Sequence, residues 1–298
     1  MHDTLLQALD EMTPLEGRNP THLDSVVLFR FESYASREPF IYDQCLCMAV
    51  QGSKTIHLPE RSFTYDSSHF LVVPTILPIE REIFASADTP LLGLTISIDH
   101  TVAQEIIEQM GEEFSESDAP LASQPGAYLE PFSDDIIESS VRLVKSLQDK
   151  EEAAILGRQI VREIHYRVLR SRQGHILASA ARGESAYARI ATTLRTIHEN
   201  YAETLDVPQL AEAANMSVRS FHDHFKAVTQ HTPVQYLKRI RLEKARQFMA
   251  AQGLQAGVTA HMVGYESSSQ FSREFKRHFG YPPSETRAND ILYAAAEL

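Results

Sequence analysis

Three things are scarce in this chain of 298 residues: cysteine, long apolar runs, and positive charge. The only cysteines are Cys45 and Cys47. At i and i+2 of an extended strand they point the same way but lie too far apart to bridge easily, so neither a structural disulfide nor a cysteine-based zinc site is expected. No run approaches the ~18 apolar residues that a membrane-spanning helix needs. The opening Met1-His2-Asp3-Thr4 has neither the charged nor the apolar segment of a secretion signal, which makes a cytoplasmic location the expectation. There is no glycine-rich phosphate loop, and no Ser/His/Asp nucleophile arrangement can be argued from spacing. Catalytic residues are therefore not assigned, and the chain is not expected to be an enzyme.

The formal net charge of −12 argues at first against a nucleic-acid partner, but it is unevenly spread. Residues 1–184 hold 15 Lys+Arg against 29 Asp+Glu, whereas residues 185–298 hold 13 against 11. The C-terminal part is mildly basic. Binding to double-stranded DNA there would lean on base contacts and dimerisation more than on bulk phosphate attraction.

What is present is a repeat. Ser217, Phe221, Phe225 and Lys226 recur as Ser267, Phe271, Phe275 and Lys276, each offset by 50 residues. Serine can cap a helix start, and phenylalanines four apart bury one face. The opposite face is polar: Arg219, His222, Asp223 and Lys226 in one copy, Ser269, Gln270, Arg273 and Lys276 in the other. A short helix with an apolar back and a hydrogen-bonding front suits a major groove. Each copy follows a shorter helix, giving two helix–turn–helix units. The joining helix, opened by Thr232-Pro233 and closed by Gly253, has about twenty residues or ~30 Å. Successive major-groove faces on one side of B-DNA lie ~34 Å apart. Asp206 is the expected cap of the helix over 207–214, and Asn215 sits at a turn where left-handed backbone is tolerated.

Upstream, short apolar runs separated by turn signals predict strands at Val26–Phe31, Cys45–Val50, Lys54–Leu58, Ser62–Tyr65, His69–Val73, Ile79–Phe84 and Leu91–Ile98, forming a small β-sandwich or barrel. A short helix is expected over 101–110, a polar loop over 112–126, and two amphipathic helices over 131–150 and 151–172. Ile136, Ile137, Val141, Val144 and Leu147 mark one apolar stripe; Ile155, Leu156, Ile160, Ile164 and Val168 mark the other. These helices either cover the barrel or pair with another subunit.

The C-terminal residues resemble the DNA-binding domain of AraC/XylS-type transcription regulators. The resemblance covers about 188–287 and rests on Leu210-Ala211, Met216-Ser217, Phe221, Phe225-Lys226, Thr232-Pro233, Tyr236, Arg241-Leu242, Ala245-Arg246, Val263-Gly264-Tyr265, Ser269, Phe271-Ser272-Arg273, Phe275-Lys276, Phe279-Gly280 and Pro282-Pro283. Leu46-Cys47 through Gln51-Gly52 and the strands after them resemble the cupin-like N-terminal domain of one branch of that family. The implied fold is a multidomain α+β protein. A cupin-like β-barrel sensor would occupy 1–112, a helical dimerisation segment 113–175, a linker 176–187 and an all-α double helix–turn–helix domain 188–298.

The resemblance also implies roles. Arg219, His222, Asp223, Ser269, Gln270 and Arg273 would face bases, with Arg273 matched to guanine and Gln270 to adenine, while Lys226 and Lys276 would meet phosphate. Asp223 is unusual on such a face; it accepts from a cytosine amino group, caps His222, or points away. Cys47 resembles a cysteine of a branch that includes responders to electrophiles such as aldehydes, which implies an effector-sensing role for Cys47 and, less strongly, for Cys45; the bland reading of a strand cysteine is a small buried hydrophobe. Metal-binding cupins carry a His-x-His, a Glu and a distant His. Here His57 and His69 stand twelve residues apart, so neither a metal nor a cofactor is expected. Expected partners are DNA, RNA polymerase, a second copy of the chain and a small effector. Two alternatives stay open: a regulator that contacts RNA polymerase without an effector, and a cupin enzyme fused to a DNA-binding module.

Overall fold

A computed structural model describes residues 2–111, 126–182 and 186–286. Among these described residues, ten strands build two antiparallel sheets. The larger has the order β1 (Gly17–Pro20), β2 (Val26–Phe31), β9 (Leu91–Ser97), β4 (Cys45–Gln51), β7 (His69–Val73), β10 (Tyr128–Pro131). The smaller runs β3 (Ala35–Tyr42), β8 (Leu77–Phe84), β5 (Ser53–His57), β6 (Ser62–Tyr65). All seven expected strands are present. β1, β3, β10 and an N-terminal helix α1 (His2–Met12) were not anticipated. β3 was hidden by Arg37, Glu38 and Pro39, residues that suit an edge strand, which is its place in the sheet. The expected loop over 112–126 lies outside the described residues save for Gly126.

Strand β4 shows why its sequence is apolar without alternation. Cys45, Cys47 and Ala49 enter the core between the sheets. Leu46, Met48 and Val50 enter a second core on the other side of the larger sheet. A strand buried on both faces reads as a continuous hydrophobic run. The second core is covered by α1, α2 (His100–Met110), α3 (Asp134–Ser146) and α5 (Arg158–Leu169). It continues through α6 (Gly174–Ala181) and α7 (Ala186–Glu199). The expected linker over 176–187 thus contains the end of a buried helix, with Ile176 and Leu177 in the core.

The two amphipathic helices do cover the sheet, but one stripe is broken. Between α4 (Lys150–Glu152) and α5 the chain makes a π-helical turn, Ala153–Gly157. The wider turn shifts the register. Ala153 and Gly157 face inward, Ile160, Ile164 and Val168 follow, and Ile155 and Leu156 are left exposed.

The C-terminal helices are α8 (Val207–Ala213), α9 (Val218–Thr229), α10 (Pro233–Gln252), α11 (Ala256–Met262) and α12 (Ser268–Phe279). Phe221, Phe225, Tyr236 and Ile240 belong to the same core as the helices over the sheet. An ionic seam joins α10 to edge strand β3. Glu38 pairs with the fully buried Arg81 at 2.8 Å and approaches Arg246 at 3.6 Å; Arg246 also pairs with Glu243 at 3.1 Å and donates to the edge carbonyl of Pro39 at 3.3 Å. Tyr236 Oη donates to Ile76 O at 3.1 Å, and Glu60 N donates to Gln230 Oε1 at 2.8 Å. The first helix–turn–helix unit is therefore held against the β-rich part by packing and by hydrogen bonds.

Candidate nucleic-acid interface

Each reading helix is built in the same way. Ser217 Oγ caps α9 by accepting from Ser220 N at 3.2 Å, and Ser267 Oγ caps α12 by accepting from Gln270 N at 3.3 Å. The paired phenylalanine rings sit 5.5 Å apart in both copies, fully buried. Burying one such ring is worth about 1.5–3 kcal/mol. A tyrosine closes each aromatic back, Tyr236 against Phe225 and Tyr265 against Phe271, both at 5.4 Å. The turns match too: Met216 N donates to Ala211 O, and Tyr265 N to Ala260 O, each at 2.9 Å. Left-handed backbone at Asn215 (φ 52°) and Gly264 (φ 85°) makes both turns. These contacts are offset by 49 residues and the caps by 50, so the second turn holds one extra residue, Glu266.

The polar fronts lie where the repeat placed them. Arg219, Asp223, Lys226, Ser269, Gln270, Arg273 and Lys276 are exposed, and His222 is half-buried with its ring edge-on to Phe221 at 6.4 Å. Among the described residues, the side chains of Arg219, Asp223, Lys226, Arg273 and Lys276 have no hydrogen-bond or ion-pair partner. Asp223 does not cap His222. The α10 rod is 20 residues long, opened by a Thr232–Gln235 capping box and closed by Gly253 at φ 65°. Both fronts are therefore solvent-facing and linked by a rod of about one DNA turn.

Two supports were not read from the sequence. Arg241 on α10 ties the end of α7 to the second turn, donating to Tyr201 O at 2.7 Å, Glu203 O at 2.7 Å and Gly264 O at 2.8 Å. Glu274 on α12 accepts from Lys238 Nζ at 2.7 Å, Tyr265 Oη at 3.0 Å and Gln270 Nε2 at 3.1 Å. Burial pulls the Glu274 carboxyl upward, but the three donors outweigh it and hold it below the usual carboxylate range. The four-residue spacing of Gln270 and Glu274 was the available signal.

In the N-terminal part, Cys45 and Cys47 are both buried. Cys47 Sγ lies 3.1 Å from Tyr65 Oη, which in turn lies 2.7 Å from Tyr42 Oη. Phe29, Phe31, Phe40, Tyr42 and Tyr65 pack together in the core between the sheets. His57 bonds Ser62 and Glu82, and His69 bonds Ser68. No group of three or more potential metal ligands occurs among the described residues.

Comparison with known proteins agrees with this geometry. Residues 22–176, just over half of the chain, match the AraC-type transcriptional regulator N-terminus, and residues 210–289 match a helix-turn-helix domain. The chain belongs to the AraC-type transcriptional regulators. Among its relatives is the HTH-type transcriptional activator RhaS of Yersinia pestis (strain Pestoides F), 31% identical over 106 residues, or 36% of this chain and 39% of RhaS. RhaS of Escherichia coli O1:K1 / APEC is 26% identical over 154 residues, or 51% of this chain and 54% of RhaS. The chain thus matches about half, or less, of these relatives' length. In three dimensions it resembles the apo form of a single-residue variant of ToxT from Vibrio cholerae, with a TM-score of 0.59 and 12% identity over 88% of this chain and 96% of ToxT. It also resembles wild-type ToxT bound to an unsaturated fatty acid, with a TM-score of 0.57 and 10% identity over 92% of this chain and 96% of ToxT. At that identity the likeness is one of fold.

Proposed function

We propose that the chain is a sequence-specific regulator that reads double-stranded DNA with α9 and α12. The observation that carries this is the pair of solvent-facing polar fronts joined by one 20-residue rod. Arg219, His222, Asp223, Ser269, Gln270 and Arg273 meet base edges; Lys226 and Lys276 meet phosphate. Residues 188–298 form the DNA-binding domain, and 176–187 join it to a cupin-like sensor (1–112) and its helical segment (113–175). Exposed Ile155 and Leu156 at the π-helical turn support pairing of two copies through that segment, which gives four reading heads. No helix among the described residues is long and apolar enough to cross a membrane; a cytoplasmic location is the one that fits the proposed DNA-reading role.

A small effector acting through the N-terminal part is supported by the fatty acid bound to a ToxT of similar fold. An electrophile reaching Cys47 is one form of that control; Cys47→Ser then abolishes the response, and an unchanged dose response removes this form. The aromatic side chains packed between the sheets favour a second reading, in which the regulator contacts RNA polymerase without an effector. The test is capture of sheared genomic DNA from the source by the purified protein. A few enriched sites with paired blocks about one helical turn apart support the reading, and their flanking genes narrow the effector. Retention without enrichment, also in the presence of cell extract, sinks it.

A further inference from the structure

In α10 and α12 a glutamine stands three residues after the cap, and the two side chains go opposite ways. Gln235 of α10 turns back, its Oε1 accepting from Thr232 N at 3.0 Å, and completes a capping box. Gln270 holds the same place in α12, yet its side chain runs forward to donate Nε2 to Glu274 Oε1 at 3.1 Å. Glu274 is itself fastened from behind by Lys238 of the connecting rod and by Tyr265 of the turn, and its side chain is only 12% exposed. An exposed glutamine has thus been withdrawn from helix capping and held by a carboxylate that cannot swing.

From this arrangement we propose that Glu274 is a positioning residue for base selection. Without touching DNA, it fixes which end of the Gln270 amide faces the groove. This rests on the assignment of Gln270 to a base. A carboxylate only accepts, so the amide must turn its nitrogen toward Glu274; turned over, Gln270 Oε1 would face a second acceptor. Nε2 carries two protons. One is committed to Glu274, and the other stays beside Oε1 as a donor–acceptor pair, the pattern that matches N7 and N6 of adenine in the major groove. Holding one amide orientation in the free protein also removes an ordering cost on binding. The first head has no such device. The positions 50 residues earlier are Ser220 and His224, whose side chains bond one another at 3.0 Å, with His224 Nδ1 also 2.8 Å from Ser220 O. The fixed amide is a property of the second head alone.

The experiment is selection of binding sites from a randomised duplex by the full chain, comparing wild type with Gln270→Ala, Glu274→Leu, Glu274→Gln and Lys238→Met. Gln270→Ala should flatten an adenine preference at one position by about tenfold. Glu274→Leu should weaken the preference at that same position by about threefold and leave the others intact. Glu274→Gln, which keeps an accepting oxygen, should restore most of it. Lys238→Met, which unfastens Glu274, should give a smaller loss at the same position and serves if Glu274→Leu does not fold. An unchanged preference in Glu274→Leu, or in Lys238→Met where that variant must stand in, overturns the proposal. So does equal flattening at every position, the mark of a merely structural role. Gln270→Ala with every preference intact instead overturns the assignment of Gln270 to a base.

Discussion

The two helix–turn–helix units share a backbone and differ in what stands behind them. Unit one (α8–α9) rests on the core that also holds the helices over the larger sheet. Unit two (α11–α12) has its own small core of Leu242, Ala245, Met249, Ala260, Val263, Tyr265, Phe271 and Phe275. Identical caps and ring spacings therefore sit in unequal cooperative surroundings. The fronts diverge as well. Asp223 occupies the position where unit two has Arg273, and Ser220 the position of Gln270. The lesson is that one local design serves two tasks. The first head shares its core with the helices over the sheet, whereas the second meets the β-rich part mainly through the ionic seam, where Arg246 lies over the Phe279 ring at 4.9 Å and His278 approaches Glu243 at 3.7 Å.

The sharpest way to break this contrast is to remove a ring from each core. Phe225→Ala and Phe275→Ala should each cost about 3–5 kcal/mol. Hydrogen exchange should show protection lost across the helices over the sheet in the first variant, but confined to α11, α12 and the end of α10 in the second. Equal loss throughout would mean one cooperative unit. Acid should discriminate next. Burial, with the neighbouring charges of Arg195, Lys244 and Arg239 respectively, holds the folded-state pKa of His100, His198 and His231 down to about 4. The unfolded chain protonates them near the ordinary histidine value of about 6.5. Their stabilisation is complete above that pH and is lost as pH falls toward 4, by about 1.4 kcal/mol per pH unit for each. Melting followed from pH 7 to pH 5 should therefore loosen the body that holds unit one before unit two.

A smaller effect separates the two turns. Gly264 is at φ +85°, and an added Cβ would lie 2.3 Å from Ala202 O, whereas Asn215 already carries a side chain at φ 52°. Gly264→Ala should cost about 1–3 kcal/mol, and Asn215→Gly a few tenths, both measured by denaturant unfolding. Effects on DNA binding alone, with folding stability unchanged, concern the fronts. Arg273→Ala should cost about 1–3 kcal/mol at one base pair and relax specificity there. Asp223→Asn, which removes a charge that phosphate repels, should tighten binding to unrelated DNA slightly. Anisotropy titrations on cognate and scrambled duplexes check both, and uniform weakening in Arg273→Ala would make it a phosphate contact.

Much of this was legible in the sequence because the signals are local. Serine before a helix, phenylalanines four apart, Thr232-Pro233 and Gly253 each constrain their own few residues through capping and backbone conformation, so the C-terminal helices appear close to where they were expected. The seven expected strands followed from apolar runs, and β4 showed that a strand buried on both faces needs no alternation. What was not legible depended on partners distant in the chain. Strand β3 exists because β8 pairs with it and Arg246 accompanies its free edge. Ile155 and Leu156 left their stripe because a π-helical turn allows Ala153 and Gly157 to pack inward. The sequence by itself determined two capped, aromatic-backed helices with polar fronts on one rod, since helix periodicity and capping are encoded within a few residues. Only the tertiary structure decided that one head shares a core with the β-rich part, and that Lys238 and Tyr265 hold Glu274 against Gln270. Packing and hydrogen bonding between residues far apart in sequence are settled by the fold, and no local pattern states them.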